Sequence, residues 1–374
     1  MLFSDTITNM RTTAIIHLDR FYENFQAVRN QVGRGRHICV PVKADAYGHG
    51  ALKIAETALE AGAFCLGVGT VTEGAELRKG GIRAPILLFT QPHSQEIPAI
   101  IETGLVPFVS DTSFAGILNK QALAQGCRKL PIHIKIDTGM GRIGCPVEDA
   151  LALARYISSC PGLELTGTAT HFAVSDSTDD VDRAYTKLQT EHFLQAVDAI
   201  KAAGIDPGLV HAANSGAVTF HPDTWFDMVR PGLVLYGYTT EGSPLQAKPV
   251  MELKSTVVLI KKIKKGDSVS YGRTWIADRD TNIGILPVGY ADGFPRLASG
   301  KWQVVIGGKA YPQVGRICMD QCCVDLGTDC LEVTPGDEAV IFMNAADLAA
   351  VVGTIPYEII CNISKRVPRV YVGI

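Results

Sequence analysis

The residues that could do chemistry in this chain lie at the ends of apolar runs. Lys43 follows the apolar stretch at residues 38–42 and precedes Asp45, Tyr47 and His49. A lysine held away from water, or beside other cations, keeps a neutral amine that can form a Schiff base with a carbonyl compound. A strand that simply reaches water would also end in lysine, so Lys43 alone leaves both interpretations open.

A second group of such residues surrounds a glycine-rich turn. Lys135 lies near the end of another apolar run, and Arg142 follows it after Gly139 and Gly141, which permit a tight turn. That turn could aim Arg142 back toward the end of the run, although an isolated arginine more often lies at the surface. His171 ends the next run, where a lone histidine is more often a core residue than a functional one.

Two later segments could bind an anion. Ser215 and Gly216, at a turn from a strand to a helix, could offer backbone N–H groups to a phosphate. Arg230 lies within an apolar run, where a charge without a partner is costly. We therefore expect Arg230 to contact an acceptor, which could be a ligand.

These residues share one pattern of predicted elements, in which short β-branched runs alternate with helical segments. The runs are residues 37–43, 64–70, 85–90, 105–110, 130–137, 163–172, 208–213 and 226–236. Apolar residues recur three and four apart in the helical segments 51–61, 112–124, 147–158 and 180–203. Repeated strand and helix units predict a parallel sheet, here a (β/α)8 barrel of the TIM type over residues 1–240. An open doubly wound sheet would give a similar alternation, but no G-x-G-x-x-G follows the first run.

The pattern changes at the polar stretch 239–248, which contains Gly242 and Pro244. The runs that follow are β-rich: residues 251–262, 281–288, 302–306, 321–326 and 337–342, with a helical stretch at 343–352 and a last strand at 367–372. We therefore predict a second domain, mainly of β-strands, over residues 241–374. The position of an early strand at residues 12–18 is left open.

Composition excludes several classes of protein. The 374 residues include 35 Lys and Arg against 38 Asp and Glu, a net charge of −3, which does not favour a nucleic-acid partner. Hydrophobic residues make up 47% of the chain, yet no run reaches the length of about 18 apolar residues that a membrane span needs. The first residues lack the basic start and apolar core of a signal peptide, so we expect a cytoplasmic protein. The ten cysteines show no pattern typical of disulfides or zinc, and we expect reduced thiols and no metal.

Taken together, these segments resemble the alanine racemases, which are pyridoxal-phosphate enzymes of fold type III. The resemblance covers nearly the whole chain. It is carried by residues 43–50 (KADAYGHG), 135–142 (KIDTGMGR), 214–215 (NS), 230–232 (RPG), 270–272 (SYG), 289–293 (GYADG) and 318–320 (CMD), which follow one another in the family's order.

The resemblance implies a two-base reaction on pyridoxal 5′-phosphate. Lys43 would hold the cofactor covalently and serve as one of two proton-transferring bases. Tyr271 would be the other base, on the opposite face of the substrate Cα, and it would come from the partner subunit. The active enzyme would then be a homodimer in which the β domain of each chain contributes to the active site of the other.

The resemblance also implies further contacts with cofactor and substrate. The cofactor-binding residues that it implies are Lys43, Tyr47, His171, Asn214, Ser215, Arg230, Gly232, Leu233 and Tyr357. Arg230 would hydrogen-bond the pyridine nitrogen, and His171 would lie against the ring and help orient Arg230. The substrate-binding residues would be Arg142, Tyr290 and Met319. Lys135 matches a lysine that is carbamylated in some members of the family.

Arg230 also bears on the type of reaction. A guanidinium is effectively always protonated, so it would donate to the pyridine nitrogen and leave that atom without its own proton. The weaker electron withdrawal that results favours racemisation over side reactions. A decarboxylase of the same architecture would place an acidic residue there, and a cofactor-carrying binding protein of the single-barrel kind would lack the second domain.

The implied function is the interconversion of L-alanine and D-alanine, which supplies D-alanine for bacterial peptidoglycan. Tyr290 and Tyr357 would crowd the pocket and suit a methyl side chain. Slow turnover of serine would follow, because an apolar pocket rejects an added hydroxyl poorly.

Overall fold

The computed structural model describes residues 11–329 and 332–373. They form two compact units. We call residues 21–46 and 51–248 the barrel unit, and residues 11–20, 47–50 and 249–373 the β unit. Among the residues described, no helix combines the length and apolar character needed to cross a bilayer.

The barrel unit is built on an eight-stranded parallel sheet, as the sequence predicted. Its strands are His37–Pro41, Cys65–Val68, Ile86–Leu88, Val106–Val109, Leu130–Lys135, Leu163–Ala169, Leu209–His211 and Met228–Val229. Each of the first six strands pairs in parallel with the next strand along the chain, and the first strand also pairs with the eighth. The seventh and eighth strands are joined by single hydrogen bonds, Asp227 N to Val210 O at 3.1 Å and Arg230 N to Ala213 O at 2.8 Å. The barrel is therefore nearly closed.

Helices follow most barrel strands. The helices between residues 18 and 248 are Leu18–Val32, Lys43–Gly48, Ala51–Glu60, Val71–Lys79, Ile97–Thr103, Thr112–Ala124, Ala150–Ser158, Asp180–Ala202 and Ser215–Phe220. Short 3-10 turns lie at Ser94–Glu96, Val147–Asp149, Pro222–Thr224 and Leu233–Tyr236. Local sequence fixes their starts: Thr70 and Glu73 form a capping box, and the Asp111 carboxylate accepts from Phe114 N at 2.7 Å.

The last barrel strand is much shorter than the predicted run 226–236. It ends at Val229, and Pro231, which has no N–H to donate, is followed by the turn Leu233–Tyr236. Arg230 therefore lies at the carboxyl end of a strand and not within one. Met228, two residues earlier, belongs to a buried cluster with Cys39 on the first strand, so the alternation of side chains directs Arg230 into the barrel.

The β unit contains a nine-stranded sheet and a two-stranded one. Its strands are Thr13–His17, Met251–Thr256, Leu259–Ile263, Ser268–Val269, Trp275–Ile276, Thr281–Leu286, Gln303–Ile306, Lys309–Val314, Cys322–Gly327, Glu338–Phe342 and Arg369–Val372. The helices are Ala345–Val352 and Pro356–Cys361, with 3-10 turns at Tyr271–Arg273 and Arg296–Ala298. The predicted run 251–262 is two strands, because Val257 and Val258 donate to different neighbours, Asp337 O and Ile285 O.

The early strand, Thr13–His17, belongs to the β unit. It pairs antiparallel with Met251–Thr256 and parallel with Arg369–Val372, and its buried residues alternate as a sheet requires. The predicted barrel span of 1–240 therefore differs from the compact units at both ends, since residues 11–20 leave the barrel and residues 241–248 join it. Eight cysteines in the described parts of the chain form no disulfide: Cys39, Cys65, Cys127, Cys145, Cys160, Cys318, Cys322 and Cys323.

Candidate functional site

Lys43 begins a short helix directly after the first barrel strand, and its side chain is exposed. Residues 44–47 have φ between +52° and +55°, so this turn is left-handed. Such a backbone costs roughly 1–2 kcal/mol for each residue that carries a Cβ. Side chains hold it in place: Glu73 Oε1 accepts from Ala44 N at 2.7 Å, and Asp45 Oδ1 accepts from Ala51 N at 2.8 Å. A strained, well-anchored turn therefore presents Lys43.

Arg230 is a buried, firmly hydrogen-bonded cation of the barrel unit. It is 6% exposed, and its Nη2 donates to Thr170 O at 2.8 Å and to Ala212 O at 2.9 Å. Its Nη1 lies 2.7 Å from His211 Nδ1. Burial lowers the pKa of Arg230 to about 10, which leaves the group charged at neutral pH. The expected acceptors exist, and they are neutral carbonyl and imidazole groups.

His171 marks the point where the predicted cations meet. Its Nδ1 lies 3.4 Å from Arg230 Nη2. Burial lowers the pKa of His171 well below its usual value, and the nearby charges of Lys135, Arg230, Arg142 and Lys43 lower it further. These five residues also end or follow parallel barrel strands, so the structure places them at the same end of the barrel.

Lys135 ends the fifth barrel strand and is 6% exposed. Its Nζ has no hydrogen-bond partner in the described structure and lies 5.9 Å from the centre of the Phe108 ring. Burial first, and then the charges of Arg230 and Arg142, lower its pKa well below the usual value, although Asp137 acts in the opposite sense. The amine of Lys135 is thus a buried donor and nucleophile without a partner.

Arg142 is exposed on the glycine-rich turn, which a single carboxylate organises. Asp137 Oδ1 accepts from Gly139 N at 2.9 Å and from Gly141 N at 3.0 Å, and its Oδ2 accepts from Arg142 N at 3.2 Å. Burial raises the pKa of Asp137, but these backbone bonds outweigh that effect and lower it. Sequence analysis missed this role of Asp137, although its position two residues before the first glycine is typical of such turns.

The loops after the seventh and eighth strands meet at Ser215. Its Oγ accepts from Gly232 N at 2.8 Å, next to Leu233. Asn214 Oδ1 accepts from Ala217 N at 3.1 Å and from Ser175 Oγ at 2.7 Å. These two loops are where barrels of this type bind phosphate groups, so the cluster fits a phosphate.

The β unit carries the remaining predicted residues in two places. Tyr271, Tyr290 and Met319 have exposed fractions of 71%, 43% and 53%. Their segments are tied together, because Tyr290 N donates to Cys318 O at 3.0 Å and Ser270 Oγ donates to Arg316 O at 2.6 Å. The three side chains thus belong to one set of linked loops that faces solvent.

The second place is a pair of tyrosines. The rings of Tyr47 and Tyr357 lie 5.6 Å apart between centres, and the angle between their planes is 42°.

Sequence analysis missed Arg366, whose Nε contacts Asp292 at 2.7 Å and whose Nη2 contacts Asp320 at 2.8 Å. It joins the loop of Tyr290 to the loop of Met319, and no motif in the sequence pointed to it.

Comparison with known proteins gives consistent results. Residues 16–240 match the family described as alanine racemase, N-terminal domain, and residues 250–371 match its C-terminal domain. The alanine racemase of Treponema denticola is 47% identical over 96% of this chain and 98% of its own length. The alanine racemase of Treponema pallidum is 46% identical over the same shares. The solved alanine racemase from Streptomyces lavendulae superimposes with a TM-score of 0.89, at 37% identity over 97% of both chains.

Proposed function

The chain belongs to the alanine racemase family, whose members are isomerases, and we propose that it interconverts L-alanine and D-alanine with pyridoxal 5′-phosphate as cofactor. The observation that carries this proposal is that Lys43, Arg142, His171 and Arg230 all follow the carboxyl ends of parallel barrel strands, and that Arg230 Nη2 lies 3.4 Å from His171 Nδ1. An exposed amine, a buried guanidinium and loops able to bind a phosphate are what this cofactor requires.

The residues present fit each part of that cofactor. The loops joined through Ser215 and Gly232, with Asn214 and Leu233, would hold the phosphate. Lys43 would hold the aldehyde end covalently, and Tyr47 with Tyr357 would complete the phosphate contacts. When bound, this cofactor withdraws electrons from the substrate Cα and so acidifies its hydrogen.

Arg230 would determine which reaction follows. Its guanidinium can only donate hydrogen bonds, and the barrel groups that accept from it are neutral. It would therefore donate to the pyridine nitrogen and limit electron withdrawal, with His171 beside it. This arrangement favours racemisation over decarboxylation, for which an acidic residue at the same point is expected.

Two bases are needed, because the proton must leave one face of Cα and return to the other. Lys43 would serve one face and Tyr271 the other. Tyr271 is exposed together with Tyr290 and Met319 on the β unit, which supports a homodimer in which these side chains enter the partner's barrel. Arg142, Tyr290 and the backbone of Met319 would then hold the substrate carboxylate.

We place this activity in the cytoplasm, where D-alanine is supplied for bacterial peptidoglycan. The net charge of −3 supports the absence of a nucleic-acid partner, and no membrane partner is expected. We further propose that the barrel unit binds the cofactor and that the β unit serves the partner subunit.

The test is exchange of the Cα hydrogen in deuterated water. The purified protein with pyridoxal 5′-phosphate should exchange this hydrogen of both alanine enantiomers and should show the absorption band of the lysine-bound cofactor. Lys43→Ala should lose both, because the covalent attachment and one base are removed. Lys53→Ala, a change at an exposed helical lysine, should keep both. A protein that binds the cofactor but exchanges neither enantiomer would sink the proposal.

A further inference from the structure

A chain of hydrogen bonds runs from Arg230 into the barrel and reaches a histidine that the proposed reaction does not use. Arg230 Nη1 lies 2.7 Å from His211 Nδ1, and His211 Nε2 lies 2.9 Å from His133 Nδ1. The exposed fractions are 0% for His211 and 3% for His133. Both imidazoles are therefore shielded from bulk water, and their hydrogen bonds must come from other groups of the protein.

The direction of these bonds follows from what each group can do. A guanidinium only donates, so His211 Nδ1 must accept and cannot carry a proton. A neutral His211 then carries its proton on Nε2 and donates it to His133 Nδ1. His133 in turn holds its own proton on Nε2. Only this pair of tautomers satisfies both contacts.

Both rings are neutral at physiological pH. Burial, and then the charge of Arg230, lower the pKa of His133 to about 3 and that of His211 well below its usual value. Neither ring therefore takes up a second proton, which would convert its accepting nitrogen into a donor.

The barrel is shaped to hold the His133 ring. Gly167, on the sixth strand, pairs with His133 in the sheet register. A Cβ at Gly167 would lie 2.6 Å from both Cε1 and Nε2 of His133, so a side chain there would displace the ring. Phe108, on the fourth strand, stacks on His133 at 6.0 Å between ring centres and 19°. The ring is thus fixed by packing on two sides.

We propose that His133 is a positioning residue for Arg230. By accepting from His211 Nε2, it holds His211 in the one tautomer that can accept from Arg230 Nη1, and so fixes the direction of the guanidinium. The effect at the cofactor rests on the proposed function. The tautomer of His211 does not, because it is set by contacts within the barrel.

The first experiment reads the tautomer directly. Nitrogen-15 NMR of the holoenzyme labelled on histidine should show His211 with its proton on Nε2 alone, its resonance being assigned by its loss in His211→Gln. In His133→Leu the Nε2 proton loses its acceptor, and the Nδ1–H tautomer should gain population. His133→Asn, whose side-chain oxygen can accept near the position of Nδ1, should keep the wild-type pattern. Protonated Nδ1 at His211 in the wild type would overturn the proposal even if no variant folds.

The second experiment reads the consequence for cofactor binding. The dissociation constant for pyridoxal 5′-phosphate should rise roughly tenfold to a hundredfold in His133→Leu, as for a lost hydrogen bond to a charged group. His133→Asn should stay near the wild type, and Gly167→Ala should resemble His133→Leu because it displaces the ring. The role of His133 would be refuted if His133→Leu and the wild type bound pyridoxal 5′-phosphate with equal affinity and had the same His211 tautomer. If no form binds the cofactor, the proposed function fails, while the tautomer of His211 is still decided by NMR.

Discussion

At the scale of single residues, four basic side chains gather at one end of the barrel. Lys43, Lys135, Arg142 and Arg230 all act on His171, whereas the carboxylate of Asp137 is occupied by backbone N–H groups. Such a site stabilises an anion, which agrees with a phosphate and a carboxylate as ligands. The most exceptional member is Lys135, because a buried amine seldom lacks a hydrogen-bond partner.

Lys135 should react with carbon dioxide. Its lowered pKa increases the neutral fraction of the amine, which can add to CO2 with release of one proton and form a carbamate that can accept hydrogen bonds. Protein kept in carbon-13 bicarbonate should therefore show a carbamate carbon in its NMR spectrum. The signal should vanish in Lys135→Gln and persist in Lys129→Gln, whose lysine lies at the surface just before the same strand. A signal that survives Lys135→Gln, or none at all, would contradict this assignment.

Residue types alone singled out Lys43, Arg142 and Arg230, because they lie in or after apolar runs, but left their roles open. The resemblance supplied the roles that we propose for them, and neither source gave information on neutral partners. His133 and His211 lie in apolar strands, where a satisfied core histidine is the commoner case, and only the structure shows what they contact. Hydrogen bonds between strands distant in sequence leave no local pattern.

At the scale of elements, the sequence predicted which segments are strands and helices better than where they end. The helix predicted at 112–124 is found as Thr112–Ala124, with Asp111 as its cap. The strand Lys309–Val314 was missed, since Pro312 breaks its pattern, and the pairing of Thr13–His17 depends on residues more than 230 positions away. Partners of a strand are set by packing over the whole chain, which periodicity does not record.

The left-handed turn after Lys43 gives a prediction at this scale. Ala44 is exposed with φ of +52°, where glycine has no Cβ penalty. Ala44→Gly should therefore raise the free energy of unfolding by about 1 kcal/mol, measured from urea midpoints. The matched change Ala184→Gly, at an exposed site within the right-handed helix Asp180–Ala202, should lower it by roughly 0.5–1 kcal/mol. Destabilisation by both changes would mean that the turn carries no such strain.

At the scale of the whole molecule, buried neutral histidines should make stability depend on pH. Because the pKa of His133 is about 3 in the folded chain and near 6.5 when unfolded, only the unfolded state binds its proton between those values. The free energy of unfolding therefore falls as the pH falls below about 6.5, by about 1.4 kcal/mol per pH unit for each such group. His211 and His171 act in the same sense.

Urea unfolding between pH 7.5 and pH 5 checks this dependence. His133→Asn should show a shallower loss of stability on acidification, since one of the contributing groups is gone. His93→Asn, which changes an exposed histidine that caps a 3-10 turn, should keep the wild-type slope. Identical slopes for the wild type and His133→Asn would show that His133 is protonated in the folded chain.

The proposal that Tyr271 of each chain completes the active site of the partner subunit can be tested with two inactive variants. Lys43→Ala lacks the first base and Tyr271→Phe the second, so each homodimer should be nearly inactive. In a mixed dimer, the barrel of the Tyr271→Phe chain keeps Lys43 and would receive an intact Tyr271 from its partner. Random reassociation of equal amounts should then restore about a quarter of wild-type activity, since half of the dimers are mixed and each has one complete site. If Tyr271 served its own chain instead, no mixed dimer would contain a complete site, and mixing would restore nothing.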